Sequence, residues 1–153
     1  MSSPPPATYS IKARTTSAGR AEAAVGEHTV AFDASWDTPP SGLPGPAELL
    51  AAAFAACLLK NVARFGELLK FRYGHAEVDV VARRQDSPPK FVEISYELRI
   101  ATDEIDRRVE LLHLNLRKYG TVYNTLASTC EVHGRVVAVR STPQVIDPDR
   151  SAG

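Results

Sequence analysis

Residues 49–59 read LLAAAFAACLL, eleven consecutive positions filled only by Leu, Ala, Phe and one cysteine, Cys57. A helix lying on a sheet needs one apolar stripe, whereas a helix that is apolar all round needs cover on both sides. The preceding stretch DTPPSGLPGP, residues 37–46, holds four Pro and two Gly and is a loop. It ends where a helix begins: Pro46 suits the first turn, where its missing N–H costs nothing, and Glu48 favours the positive end of the dipole. The helix is expected to reach about Leu69, with Gly66 as a weak point. The chain has few other helices, so the second cover is either the second helix or another copy of the chain. The expectation is a homodimer with this helix near the interface. Eleven apolar residues fall short of the ~20 that a membrane span requires, so no membrane partner is expected.

Around this helix the chain alternates with period two. TYSIKARTT, RAEAAV and HTVAFDA predict three strands, the last two joined through Gly26-Glu27 as a hairpin. HAEVDVVARRQ and KFVEISYELRIA, separated by DSPP, predict a longer hairpin whose apolar residues include Phe91, Ile94, Tyr96, Leu98 and Ile100. A second helix is expected from Thr102 as N-cap, with Asp103, Glu104 and Asp106 near its first turn. Ile105, Val109, Leu112 and Leu116 form its stripe, and Gly120 is placed as a left-handed C-cap. TVYNTLAS predicts a short third helix and EVHGRVVAVR a closing strand. Hairpins in place of βα units indicate an α+β fold with antiparallel sheets around a long central helix.

A chain of 153 residues is the size of one domain, taken here as 1–153 with a loose arm at 1–6 and a tail at 141–153. Eighteen basic residues balance eighteen acidic ones, leaving no net field for a polyanion, and nucleic acid is not an expected partner. The N-terminus MSSPPPATYS has neither basic nor apolar character of a leader, so a cytoplasmic protein is expected. Two cysteines in that setting argue for thiol chemistry or plain burial over a disulfide framework. The four histidines are scattered and no zinc or P-loop spacing occurs, so no metal or cofactor is implied.

Cys57 shares a helical face with Leu50, Ala53, Phe54, Asn61 and Arg64. Free cysteine commonly serves as a small buried hydrophobe, and a mid-helix thiol gains nothing from a helix N-terminus. Reactivity requires a cation near the sulfur to favour the thiolate. A cysteine hydrolase would need a histidine base, and none lies within sixteen residues of Cys57. Filler and nucleophile both stay open at this level.

GLPGPAELLAAAFAACLL resembles the central-helix motif of the osmotically inducible protein C and organic hydroperoxide resistance (OsmC/Ohr) family, and the order of elements from Tyr9 to Arg140 is similar to that fold. The resemblance implies an intertwined α+β homodimer with active sites at the subunit interface. Peroxidase-type members reduce organic hydroperoxides: a cysteine attacks the O–O bond, a second cysteine closes a disulfide, and an external dithiol restores the enzyme. An Arg held by a Glu favours the attacking thiolate. Cys57 falls at the attacking position, eleven residues after Pro46. Arg20, in SAGRAEA, resembles the family's Gly-Arg segment, with Arg14 as a second candidate. Glu48 matches the wider family's Pro-x-Glu-Leu-Leu wording, although the hydroperoxide-resistance branch places its acid one residue earlier, where this chain has Ala47. Nine residues at ~100° each set Glu48 and Cys57 on opposite sides of an ideal helix, a position equally suited to capping.

The largest departure lies in RKYGTVYNTL, where family members carry a second cysteine and this chain has Gly120. Cys130, ten residues later, is the other thiol and is expected to be structural, since a disulfide needs Cα atoms within ~7 Å. The resemblance thus implies a thiol-dependent hydroperoxide reductase acting through Cys57, in defence against oxidative stress. Its partners would be a hydroperoxide and an external thiol, a backbone nitrogen or Cys130 being other means of meeting the sulfenic acid. The alternative is a non-enzymatic dimer of the same fold, binding small molecules or sensing redox state with a structural or slowly oxidised Cys57.

Overall fold

The computed structural model describes residues 2–16, 19–36 and 41–141. Met1 of the expected arm, part of the 37–46 loop and all of the expected tail except Ser141 lie outside the described residues. The chain divides into two compact units, Met1–Leu50 and Ala51–Gly153.

The first unit is a three-stranded antiparallel sheet of β1 (Lys12–Thr15), β2 (Arg20–Val25) and β3 (His28–Asp33), in that spatial order. Val25 pairs with His28 across the Gly26-Glu27 turn, and Gly26 has φ +60°, the left-handed conformation such a turn demands. β1 is shorter than the alternation suggested: Tyr9 and Ile11 stand exposed ahead of it. Asp33 anchors the loop that follows. Its Oδ1 accepts from the Ser35 hydroxyl at 2.8 Å and from the Ser41 N–H at 3.4 Å, and its own N–H donates to the Pro44 carbonyl at 3.0 Å. Hydrogen bonds from Ser41 and Ser35 hold the Asp33 carboxyl below its usual range.

Helix α1 (Pro46–Leu68) is the long helix the sequence indicated. Glu48 reaches back to accept the Gly45 N–H at 3.0 Å, half of a capping box at the expected helix start. Twenty-three residues with this composition have the length of a membrane span. One face, however, packs into a protein core through Phe54, Leu58, Asn61, Val62 and Phe65. Gly66 does not end the helix. It gives room to Tyr73, whose Cε1 would lie 2.9 Å from a Cβ at that position. The C-terminus closes as a Schellman motif: Phe71 N–H donates to the Gly66 carbonyl, Lys70 N–H to Glu67, and Lys70 takes φ +52°. Arg108 adds a side-chain cap, donating to the carbonyls of Leu69 and Lys70 at 2.8 and 3.0 Å while Glu104 holds its Nε at 2.7 Å.

The second sheet contains β4 (Ala76–Asp86), β5 (Pro89–Ala101) and β6 (Glu131–Val139) in spatial order. β4 and β5 form the expected hairpin, but β6 runs parallel to β5, so this sheet is mixed. The reason is the connection: α2 (Asp106–Tyr119) and α3 (Thr121–Ala127) form a crossover long enough to return the chain to the same end of the sheet. On the inner face Ile94, Tyr96, Leu98 and Ile100 are buried with Phe54, Leu58 and Val62 of α1 and with Val109, Leu112 and Leu116 of α2. Each fully buried side chain of this kind contributes about 1.5–3 kcal/mol. On the outer face Arg99 pairs with Glu77 and Asp79 of β4 and with Glu97 of its own strand, Arg135 pairs with Glu97 and Arg83 with Glu93 across strands, and His133 hydrogen-bonds to Glu93.

Two local expectations are corrected. Helix α2 begins at Asp106 with Ile105 as N-cap, and Ile105 is exposed instead of joining the stripe. Thr102 is buried and used elsewhere: its hydroxyl donates to the Arg72 carbonyl at 2.6 Å and accepts the Glu104 N–H at 3.1 Å. Gly120 is not left-handed. At φ −77°, ψ 118° it is extended, ending α2 and starting α3 in one residue.

Candidate functional site

Gly120 is glycine because of what surrounds it. A Cβ there would lie 2.9 Å from Tyr123 Cβ, 3.0 Å from Cys57 Sγ and 3.2 Å from the Leu116 carbonyl oxygen. The α2–α3 junction therefore presses its backbone against the Cys57 thiol. Leu116, Tyr123 and Phe54 are buried beside it, with the Phe54 and Tyr123 rings stacked at 5.5 Å.

Cys57 itself is half-buried, at the boundary between two faces of α1. On one side lies the core face; on the other, Ala52, Ala53, Ala56, Leu59 and Ala63 are exposed. The apolar circumference is thus half covered within the chain. Asn61, one turn after Cys57 and buried, donates its side-chain N–H to the Cys57 carbonyl at 2.9 Å and lies 3.8 Å from the sulfur. No other hydrogen-bond partner of the Cys57 sulfur occurs among the described residues. Arg64, two turns on, lays its guanidinium over Phe65 and Tyr119 at 5.2 and 5.7 Å, and Lys118 approaches the same Tyr119 ring at 5.2 Å.

Behind the thiol, Tyr96 packs on Phe54 and Tyr123, and its hydroxyl lies 2.7 Å from His113 Nε2. Burial raises the Tyr96 phenol far above its ordinary value and, together with Arg117, lowers His113. Both effects keep the pair neutral, a tyrosine hydroxyl and an imidazole sharing one hydrogen bond whose direction is set by the His113 tautomer. His113 is thereby committed to Tyr96.

Arg20 opens β2 in the first unit, and its carbonyl accepts from Thr16 N–H at 3.2 Å. Cys57 belongs to the second unit. Arg14, the second candidate, is ion-paired with Glu22 on the neighbouring strand. Glu48 has its carboxylate on the helix cap. Cys130 is a half-buried free thiol whose Sγ–H donates to the Leu126 carbonyl at 3.3 Å. Open depressions among the described residues of the second unit include one of about 480 Å³ lined by Arg72, Thr102, Glu104 and Arg140 and one of about 490 Å³ on the outer sheet face around Val81, Ser95 and His133. Cys57 lines neither. Among the described residues no three His, Cys, Asp or Glu side chains converge as metal ligands.

The contact between positions 57 and 120 spans 63 residues of chain and has no periodic signal in the sequence. Its one trace is the family motif, which carries a sulfur at position 120. Asn61 had a local signal, a polar side chain on the core side of an apolar helix.

A family model described as OsmC-like protein matches residues 39–133, more than half of the chain. No curated protein matches the sequence. Among solved structures, an OsmC-like protein from Mycoplasma pneumoniae superposes with a TM-score of 0.79 at 19% identity, covering 87% of this chain and 98% of that one. An organic hydroperoxide resistance protein OsmC from Legionella pneumophila gives 0.69 at 17%, covering 88% and 100%. Another such protein, from Elizabethkingia anophelis, gives 0.68 at 16%, covering 87% and 99%. At these identities the structures establish a shared fold. With the family match running from the loop before α1 into β6, and so through Cys57 and Gly120, the chain belongs to the OsmC-like family.

Proposed function

We propose that this protein reduces organic hydroperoxides through Cys57 as part of a redox or stress response in the cytoplasm, using an external thiol. The observation that carries this is the setting of Cys57: half-buried, next to a polar donor, and in contact with the backbone position where the family motif places its second sulfur. The organic hydroperoxide resistance proteins of the same fold support the substrate class. Thiolate attack on the O–O bond yields Cys57 sulfenic acid and an alcohol. Arg20, carried over from the family pattern, is the proposed thiolate partner, and Glu48 is assigned to capping α1.

The working form is an intertwined homodimer in which residues 1–153 act as one domain. The exposed Ala52, Ala56, Leu59 and Ala63 face supports this, as do Tyr9 and Trp36, at 89% and 99% exposure. A three-stranded sheet of fewer than fifty residues is also short of core.

Gly120 favours one other reading, a non-enzymatic dimer whose thiol oxidises slowly. The two separate by hydroperoxide consumption in the presence of a reducing thiol. Turnover lost in Cys57→Ser and kept in Cys130→Ser supports the enzyme; absence of turnover in the wild type leaves the binding or sensing dimer.

A further inference from the structure

Building on the peroxidase reading, we infer that oxidised Cys57 is resolved by a small external monothiol bearing carboxylates, which docks on Arg64 and Lys118 and passes through a mixed disulfide. The chain offers no second thiol at the contact. Position 120 has no side chain, although it is the position in contact with the sulfur. Cys130 lies past the far end of α3, where its Sγ–H is engaged with the Leu126 carbonyl at 3.3 Å. The nitrogens of α1 on either side of Cys57 sit inside an unbroken helix, with their N–H groups committed to carbonyls one turn back.

The charge of the missing thiol follows from the groups around the site. Arg64 and Lys118 are both held against Tyr119, the residue preceding Gly120. Lys60 and Arg117, also exposed, stand on the same helix segments. None of these four cations is in an ion pair among the described residues, whereas Arg83, Arg99 and Arg135 on the outer sheet face each have a carboxylate. The Lys118 and Arg117 charges also favour the C-terminal end of α2. Arg64 lies too far from the end of α1 for that role and is fixed by the rings alone. Unpaired cations on an aromatic plate beside a half-buried thiol attract an anionic co-substrate and raise its rate of encounter.

The cycle balances. Cys57 thiolate takes the distal oxygen of ROOH, the O–O bond breaks, and the departing alkoxide takes a proton, giving Cys57–SOH and ROH. A thiol R′SH condenses with the sulfenic acid, forming Cys57–S–S–R′ and water. A second R′SH attacks the mixed disulfide, releasing Cys57–SH and R′SSR′. One hydroperoxide is reduced and two thiols are oxidised.

The test separates the two steps. Reduced full-length protein is treated with one equivalent of tert-butyl hydroperoxide and sampled with dimedone; failure of Cys57 to form the dimedone adduct removes the peroxidase reading itself. The oxidised protein is then mixed with glutathione, with 2-mercaptoethanol or with cysteamine, and the mixed disulfide is followed by intact mass. The wild type and an Arg64→Gln/Lys118→Gln variant, oxidised in the same way, are compared for each thiol, which cancels differences in intrinsic thiol reactivity. The expected wild-type advantage is about tenfold for glutathione at low salt, near unity for 2-mercaptoethanol, and reversed for cysteamine, with all three ratios converging at high salt. Equal ratios for the three thiols overturn the inference. So does an oxidised wild type that loses two hydrogens by closing Cys57 onto Cys130.

Discussion

Gly120→Cys restores a sulfur at the contact with Cys57, and the structure sets how it should behave. In a disulfide, an S–S bond of ~2.05 Å places each Cβ about 3 Å from the far sulfur. The Cβ position of residue 120 already lies 3.0 Å from Cys57 Sγ. The added Cβ also lies 2.9 Å from Tyr123 Cβ and 3.2 Å from the Leu116 oxygen, so the reduced variant should lose about 1–3 kcal/mol by overpacking. Oxidation closes a loop of roughly 60 residues, which constrains the unfolded chain by about 4 kcal/mol. The oxidised variant should then exceed its reduced form by about that amount and the wild type by about 1–3 kcal/mol. At a urea slope of ~2 kcal/mol/M, the oxidised and reduced midpoints should differ by about 2 M. Intact mass after mild oxidation should show the loss of two hydrogens, with Cys57 and the new cysteine protected from alkylation and Cys130 still reactive. Two thiols that both remain alkylatable, or coincident oxidised and reduced midpoints, would refute the placement of Gly120 against Cys57.

Gly134→Ala puts a Cβ against the Tyr96 carbonyl oxygen and 2.5 Å from its ring, so β5 and β6 must part. A loss of about 2–4 kcal/mol in urea unfolding is expected, and a change below ~0.5 kcal/mol would contradict the register. Burial lowers the His113 pKa in the fold, so the folded state favours neutral imidazole. Stability from this group is complete above the unfolded value of ~6.5 and is lost as pH falls from there through the lowered folded value. Urea midpoints measured across that window should fall with acid in the wild type and fall less in His113→Gln, whose side-chain amide can still pair with the Tyr96 hydroxyl in either direction. Glu48→Ala should cost about 1 kcal/mol through the lost Gly45 cap, and Glu48→Gln less than half of that, both by thermal unfolding. Ala56→Arg, on the exposed face of α1, should convert the proposed dimer to monomer in light scattering; a dimer that survives it places the interface elsewhere.

Patterns that repeat within one element were legible in the sequence. The period-two runs placed the two hairpins, and the Pro46 and Glu48 pair placed the start of α1 to the residue. What failed depended on contacts between distant elements. Gly120 follows a helix stripe, the usual place for a left-handed cap, yet its backbone is extended and its lack of Cβ is required by Cys57 and Tyr123. Thr102 has the chemistry of an N-cap, but the Arg72 carbonyl took its hydroxyl and helix α2 began four residues later. The parallel pairing of β6 arises from the length of the α2–α3 crossover, which no local pattern in EVHGRVVAVR encodes. At the site, Cys57 and Asn61 were visible as one helix face. The aromatic wall of Phe54, Tyr96 and Tyr123 and the cation pair on Tyr119 come from three helices and a strand and were not.

The central claim is that Cys57 is a nucleophile toward hydroperoxides, and a single turnover tests it most directly. Fully reduced protein is mixed with one equivalent of cumene hydroperoxide without any added thiol, quenched with dimedone, and mapped by peptide mass. Loss of the hydroperoxide in step with a dimedone adduct on the Cys57 peptide, and none on Cys130, is the predicted result. Hydroperoxide that persists while Cys57 stays a free thiol would contradict it.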